Sequence, residues 1–303
     1  MRYILTAMLL SSSMLFGQNN AQVPRVLGVA HVAFRVSDLS RTGAFYKNLL
    51  GYAEPFSLND ANGNPAIAFV KVNDEQYVEL FPGDAASNGQ LDHFALYTND
   101  LAGMRQHLLA QQIPLLRDIH VGRVGNSFLT IRDPDGHYIE ILQYSSTSLS
   151  ARSQGKFMPS ERISNHITHV GILVSSVGSA MKFYRDILGF RELSRGGGGG
   201  QPDWVNVQVP DGGDYIELLP FAGVASAVDL KTQNHFGLAS SDVSKTVASL
   251  QQKTASSLLS SPISVLTGGG LPPRANLFDP DGARVELIGP SSAVLSSPTS
   301  SSP

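Results

Sequence analysis

The 303-residue sequence contains no cysteine. Disulfides, thiolate chemistry and cysteine-ligated zinc are excluded with it, as is a lipid anchor on a cysteine behind a leader. An excess of one charge is also missing. The 22 Lys and Arg against 25 Asp and Glu leave a formal net charge of −3, with both signs scattered. There is therefore no basic patch for nucleic acid and no acidic tail. The glycine runs at 196–200 and 268–270 lack the strand–loop–helix setting and the Lys-Ser/Thr of a phosphate loop, so nucleotide binding is discounted. They read as loops.

What is present begins with a leader. Arg2 precedes a mostly apolar run over residues 3–16, then small and polar residues to 22. The run is too short to span a bilayer comfortably, so a signal peptide over 1–21 is expected, cut after Gly17 or Ala21. The expected location is secreted or periplasmic, with no membrane span after cleavage. Residues 290–303, rich in Ser and Pro, read as a disordered tail. The length between these ends fits about two domains at roughly 100–200 residues each.

Self-similarity organises the rest. HVAFRVSDLSRTGAFYKNLLGY from His31 matches HVGILVSSVGSAMKFYRDILGF from His169. Fainter copies start at Leu91 and Gln233. Each opens as a strand: Val32, Phe34 and Val36 face one way, His31, Ala33 and Arg35 the other. Ser37 or Asp38 caps a helix with an apolar stripe at Leu39, Phe45, Leu49 and Leu50, closed by Gly51. Short strands follow, ending in YVELF, YIEIL, YIELL or RVELI, and a DPDG turn leads into the last strand of the second and fourth copies. The expected fold is α+β: four βαβββ modules in two domains, 24–144 and 165–289, joined by a polar linker over 145–164.

Chemistry falls on equivalent positions. His31, His93, His169 and His235 lie on the first strands; Glu79, Glu140, Glu217 and Glu286 lie on the last. The separations are 48, 47, 48 and 51 residues, and half of the eight histidines in the chain are used. A carboxylate on the concave face of a sheet is costly unless paired, protonated or metal-bound. Two His with two Glu make a mixed N/O site for a divalent metal ion (Zn, Ni, Co, Mn or Fe(II)). Structural His–Glu pairs copied by duplication are the simpler alternative, and four matched pairs favour at least one working site.

These motifs resemble the vicinal oxygen chelate superfamily, which includes glyoxalase I, extradiol dioxygenases, epimerases and bleomycin-type resistance proteins. HVAFRVSDLSRTGAFYKNLLGY and IRDPDGHYIEIL look like the first and last elements of a glyoxalase I unit. The resemblance implies paired βαβββ modules cupped around a divalent metal. Its ligand positions fall on His31, Glu79, His93 and Glu140, and again on His169, Glu217, His235 and Glu286. Both consecutive pairing of modules and pairing of the first with the fourth fit the repeats.

The full ligand sets point to a glyoxalase I-like lyase or isomerase acting on a small-molecule substrate with vicinal oxygens. Glu140 or Glu286 would be the base. An extradiol-type dioxygenase could use His169, His235 and Glu286, but the resemblance places a Tyr where Thr130 and Asn276 stand, and His120 is out of register for the upstream His. A non-catalytic antibiotic-binding protein is the third reading. Among other residues, Arg35 meets an anionic substrate or a salt-bridge partner. Tyr77, Tyr138 and Tyr215 fill the cup. His107 and His137 face solvent, His166 points away from the site, and Trp204 sits on a lid. The chain is a monomer or a homodimer.

Overall fold

The structure, a computed structural model, describes residues 23, 25–84, 87, 89–197, 202–268 and 271–290. The expected leader and all of the tail but Pro290 lie outside the described residues. No helix among the described residues is long and apolar enough to cross a membrane.

The four modules form as expected. The first holds β1 (Gly28–Val36), α1 (Leu39–Ala44), β2 (Ala53–Asn59), β3 (Pro65–Lys71) and β4 (Tyr77–Pro82). The second holds β5 (Leu91–Tyr97), α2 (Leu101–Ala110), β6 (Arg117–Val121), β7 (Ser127–Arg132) and β8 (Tyr138–Gln143). After the short α3 (Leu149–Arg152), the third holds β9 (Ile167–Val174), α4 (Val177–Met181), β10 (Arg191–Gly196), β11 (Trp204–Gln208) and β12 (Tyr215–Pro220). Helix α5 (Ala227–Thr232) leads into the fourth: β13 (His235–Ala239), α6 (Val243–Gln252), β14 (Ser264–Leu266), β15 (Arg274–Phe278) and β16 (Arg284–Ile288).

Consecutive modules pair. The sheets run β2-β3-β4-β1-β5-β8-β7-β6 and β10-β11-β12-β9-β13-β16-β15-β14. In every module the first strand lies parallel to the last, and the two first strands of each sheet lie antiparallel at its centre. This topology brings His and Glu together: His31 registers with Tyr77, so Glu79 is its same-face neighbour one pleat on.

The apolar alternation is the reason for the burial. Val32, Phe34 and Val36 are fully buried on the face opposite His31. Those faces of the two sheets share one buried cluster with the helices, and Phe34 meets Phe236 across it at 5.8 Å. Each fully buried Val or Phe contributes about 1.5–3 kcal/mol by leaving water.

The matched kernels FYKNLLGY and FYRDILGF each unwind into a π-helical turn. Leu50 N bonds to Phe45 O, Leu188 N bonds to Phe183 O, and Gly51 and Gly189 close the turns at φ of 82° and 77°. Only glycine takes that left-handed backbone without a steric cost.

The two DPDG turns dock the halves reciprocally. Asp135 accepts from Ser175 N and Asp133 from the Tyr184 hydroxyl; in the mirrored place, Asp281 accepts from Ser37 N and the Thr42 hydroxyl. The expected linker is also less free than its composition implies. Ser148, Ser150 and Ser153 are buried, and Lys71, fully buried, donates to the carbonyls of Ser153 and Lys156.

Candidate metal centre

Each first strand presents its His, and each last strand its Glu, on the face away from the shared core. In the first sheet the Nε2 atoms of His31 and His93 stand 3.1 Å apart. Glu140 lies 3.6 Å from His31 Nε2 and 3.9 Å from His93 Nε2. Glu79 is placed differently, 3.4 Å from His31 Nδ1. Asp92 takes the matching position on the other ring, 2.8 Å from His93 Nδ1. With His93 Nδ1 held by Asp92, both Nε2 atoms face one point beside Glu140. The ligand atoms of His31, His93 and Glu140 all lie within 4.8 Å of one another.

Electrostatics mark the first set as short of positive charge. Burial, with Glu140 and Asp92 adding to it against His93, pushes Glu79 up to about 8. Burial likewise raises Glu140, and burial and then His93 push His31 well below the usual imidazole value. For His93 burial works downward, but the Asp92 hydrogen bond with Glu140 and Glu79 outweighs it and raises the ring. Two lone pairs facing each other over buried carboxylates suit a divalent cation, so the residues present fit the metal.

Above this set opens a cavity of 710 Å³. Phe69, Phe81 and Phe128 line it, with Arg35, Arg117 and His120 among the polar groups. His120, across from Phe128 on β6, donates from Nδ1 to the Asp118 carbonyl, and its buried Nε2 has no partner among the described residues. The sequence alone did not place it here; the strand pairing of β6 with β7 does.

The second sheet repeats the geometry with different surroundings. His169 Nε2 and His235 Nε2 are again 3.1 Å apart, with Glu286 3.4 Å from the first and Glu217 3.3 Å from the second. Here two arginines reach in. Arg284 Nη2 lies 2.5 Å from His235 Nδ1 and 2.9 Å from its Nε2, and Arg274 Nη1 lies 3.8 Å from Glu286. Burial still works upward on Glu217 and Glu286, yet the histidines and, for Glu286, Arg284 outweigh it and lower both, Glu286 to about 2. The sequence carried a sign of this: the residue two before the last Glu is Tyr77, Tyr138 and Tyr215 in three modules and Arg284 in the fourth.

All eight predicted ligands are thus brought together, in two sets of four. Several other expectations change. His137 does not face solvent, because its Nδ1 is held by Asp133 at 2.8 Å. His107 is half-buried, 2.7 Å from the Ile187 carbonyl of the other half. Trp204 is no lid: it pairs with Gly196, where a side chain would stand 2.4 Å from the indole. Arg35 bonds to Asp92 at 2.7 Å while lining the cavity, combining its two expected roles. His166 does point away, to Asp214. Tyr215 stacks on His169 at 4.7 Å, filling the cup as expected.

Comparison with known proteins agrees with this architecture. The family model described as the Glyoxalase/Bleomycin resistance protein/Dioxygenase superfamily matches residues 28–141 and 166–287. Metapyrocatechase 2 of Cupriavidus necator is 26% identical over 184 residues, 56% of this chain and 54% of its own length. The match therefore spans about half of that relative. The 2,3-dioxygenase LapB from Pseudomonas sp. KL28 superposes with a TM-score of 0.69 at 18% identity, covering 89% of this chain and 94% of its own. The Mn(II)-bound glyoxalase from Novosphingobium aromaticivorans gives 0.66 at 19% identity, covering 89% and 84%. With the family model matching both halves over most of their length, the chain belongs to the glyoxalase/bleomycin resistance protein/dioxygenase superfamily.

Proposed function

We propose that this protein is a metal-dependent enzyme working in the first-half cavity, moving a proton on the carbon beside a substrate oxygen as an isomerase or lyase does. The observation that carries this reading is the convergence of His31, His93 and Glu140 on one point at the cavity floor, with a second carboxyl, Glu79, close by. The three converging residues would hold the metal, which when bound supplies Lewis-acid polarisation of the substrate's vicinal oxygens. The N/O donors suit Zn, Ni, Co, Mn or Fe(II).

Glu79 is the better candidate for the proton carrier than Glu140 or Glu286, the choices made from sequence. It stands outside the converging triad and lines the cavity, where it can reach a bound substrate. A carboxyl that is not itself a ligand is free to take and return a proton. Phe69, Phe81 and Phe128 offer an apolar wall, and Arg35, Arg117 and His120 a polar one. A small, partly apolar, oxygenated anion fits these walls. The mostly apolar run over residues 3–16, preceded by Arg2, supports export as part of the same proposal. The test of export is N-terminal sequencing of the mature chain, and an intact Met1 overturns it.

A second reading, ring-opening oxygenation of a catechol, is favoured by one feature. Two His with one Glu is the facial ligand set of non-haem iron oxygenases. Purified protein loaded with Mn(II), Ni(II), Zn(II) or Fe(II) would be assayed with a hemithioacetal and, separately, with catechol and oxygen. Turnover of the first supports proton transfer; oxygen uptake with ring-cleaved product supports the second. Tight substrate binding without turnover would establish a binding protein and overturn both.

A further inference from the structure

The second His/Glu set has the donors of the first but not its open face. His169 and His235 are fully buried and lie pressed against the sheet, which only glycine permits beneath them. A Cβ on Gly171 would stand 2.0 Å from the His235 ring, and one on Gly237 would stand 2.0 Å from the His169 ring. The positions equivalent by register in the first sheet are Ala33 and Ala95. Tyr215 then covers His169 in a parallel stack.

The remaining approach is taken by arginine. His235 Nδ1 donates to the Gln233 carbonyl at 2.7 Å, leaving Nε2 as the acceptor. The Arg284 guanidinium lies against the same ring, with Nη2 2.5 Å from Nδ1 and 2.9 Å from Nε2, the atom a metal would need. A guanidinium cannot be deprotonated at ordinary pH, so it is a permanent cation. Together, Arg284 and Arg274 match the two glutamates charge for charge. A divalent ion would meet a guanidinium already pressed against the His235 ring and two like charges in a buried site.

We infer that the second set is a metal-site relic plugged by its own chain: Arg284 takes the cation's place, and the second half binds no metal. The His/Glu cluster there serves as a buried polar core that holds β9, β12, β13 and β16 together. The inference rests on the metal-binding reading of the first half only for the number of ions expected in the unaltered protein. The plug itself is tested separately, by what the chain gains when Arg284 is removed.

Full-length protein, stripped with chelator, would be loaded with Mn(II) or Zn(II), desalted, and its metal counted by mass spectrometry. The expected count is one per chain, falling to none in His93→Ala and staying at one in His235→Ala. Arg284→Tyr installs the residue found in the other three modules and should raise the count by one. Its thermal midpoint should also become metal-dependent, because Glu217 and Glu286 have lost their cation. Arg284→Met is the second variant should tyrosine disturb folding, and circular dichroism checks both. Two ions in the unaltered protein, or loss of the single ion in His235→Ala, would overturn the inference. So would no gain in two folded Arg284 variants. No ion in the unaltered chain with one gained in Arg284→Tyr would leave the plug standing and overturn the functional reading of the first half.

Discussion

The hydroxyl of Tyr184, in the third module, donates to Oδ2 of Asp133, in the second, at 3.0 Å, and both side chains are buried. Tyr184 belongs to the FYRDILGF kernel and Asp133 to the first DPDG turn, so two repeat motifs that look independent in sequence form one contact between the halves. His137 shares the same carboxylate oxygen. Tyr184→Phe leaves the ring in place and removes one donor from the carboxylate, which keeps His137. Unfolding in urea should show a loss of about 1–3 kcal/mol. A change below a few tenths would show that the contact does not hold the halves together.

The mirrored turn gives a pH dependence. Burial, with Asp281 adding to it against the backbone donors at Ala283 and Asp281, pushes Asp279 up to about 7. The folded chain therefore keeps a proton that the unfolded chain releases near the ordinary carboxylate value. Stability contributed here is fully present below that value and falls as pH rises toward about 7. Asp279→Asn keeps an oxygen for the backbone donors and removes the titration. Relative to the parent, it should gain on the order of 2 kcal/mol between about pH 4 and pH 8. A pH-independent difference in urea midpoints across that range would refute the assignment.

In the first metal set, Asp92 holds His93 Nδ1 and also accepts from Arg35. Asp92→Asn should weaken metal binding about 10–100-fold, the usual effect of losing the group that orients a ligand. Competition against a fluorescent chelator measures this. Unchanged affinity would mean that Asp92 serves Arg35 alone.

Glu79 separates ligand from proton carrier. In Glu79→Gln the metal count should hold while turnover falls about 100-fold or more. Loss of the ion would make it a fourth ligand instead. Full activity would remove it from the mechanism.

Gly237→Ala tests the close fit of the second set. The added Cβ would stand 2.0 Å from His169, so a destabilisation of about 1–3 kcal/mol or more is expected. Ala95→Gly, at the equivalent place in the first sheet, should cost less, with no ring displaced. Equal effects in thermal denaturation would contradict the difference between the two sites.

Much of the architecture was determined locally and so could be read from the chain. Alternation of His31, Ala33 and Arg35 with Val32, Phe34 and Val36 set which face of β1 is buried, because side chains on a strand alternate whatever surrounds them. The spacing of each His from its Glu placed both on one face of one module, and the four copies reinforced each other. Pairing of modules lay beyond sequence, since β1 offers β5 the same edge it would offer any first strand; the antiparallel register of His31 with Ala95 decided it. Tertiary structure alone also distinguished the two ligand sets. Burial pushes Glu79 up in the open site, while at Glu286 the His169 hydrogen bond, with His235 and then Arg284, outweighs burial and pulls the carboxyl down, because charge is set by neighbours in space. Eight residues that were equivalent as a repeat became one open site and one filled by a guanidinium.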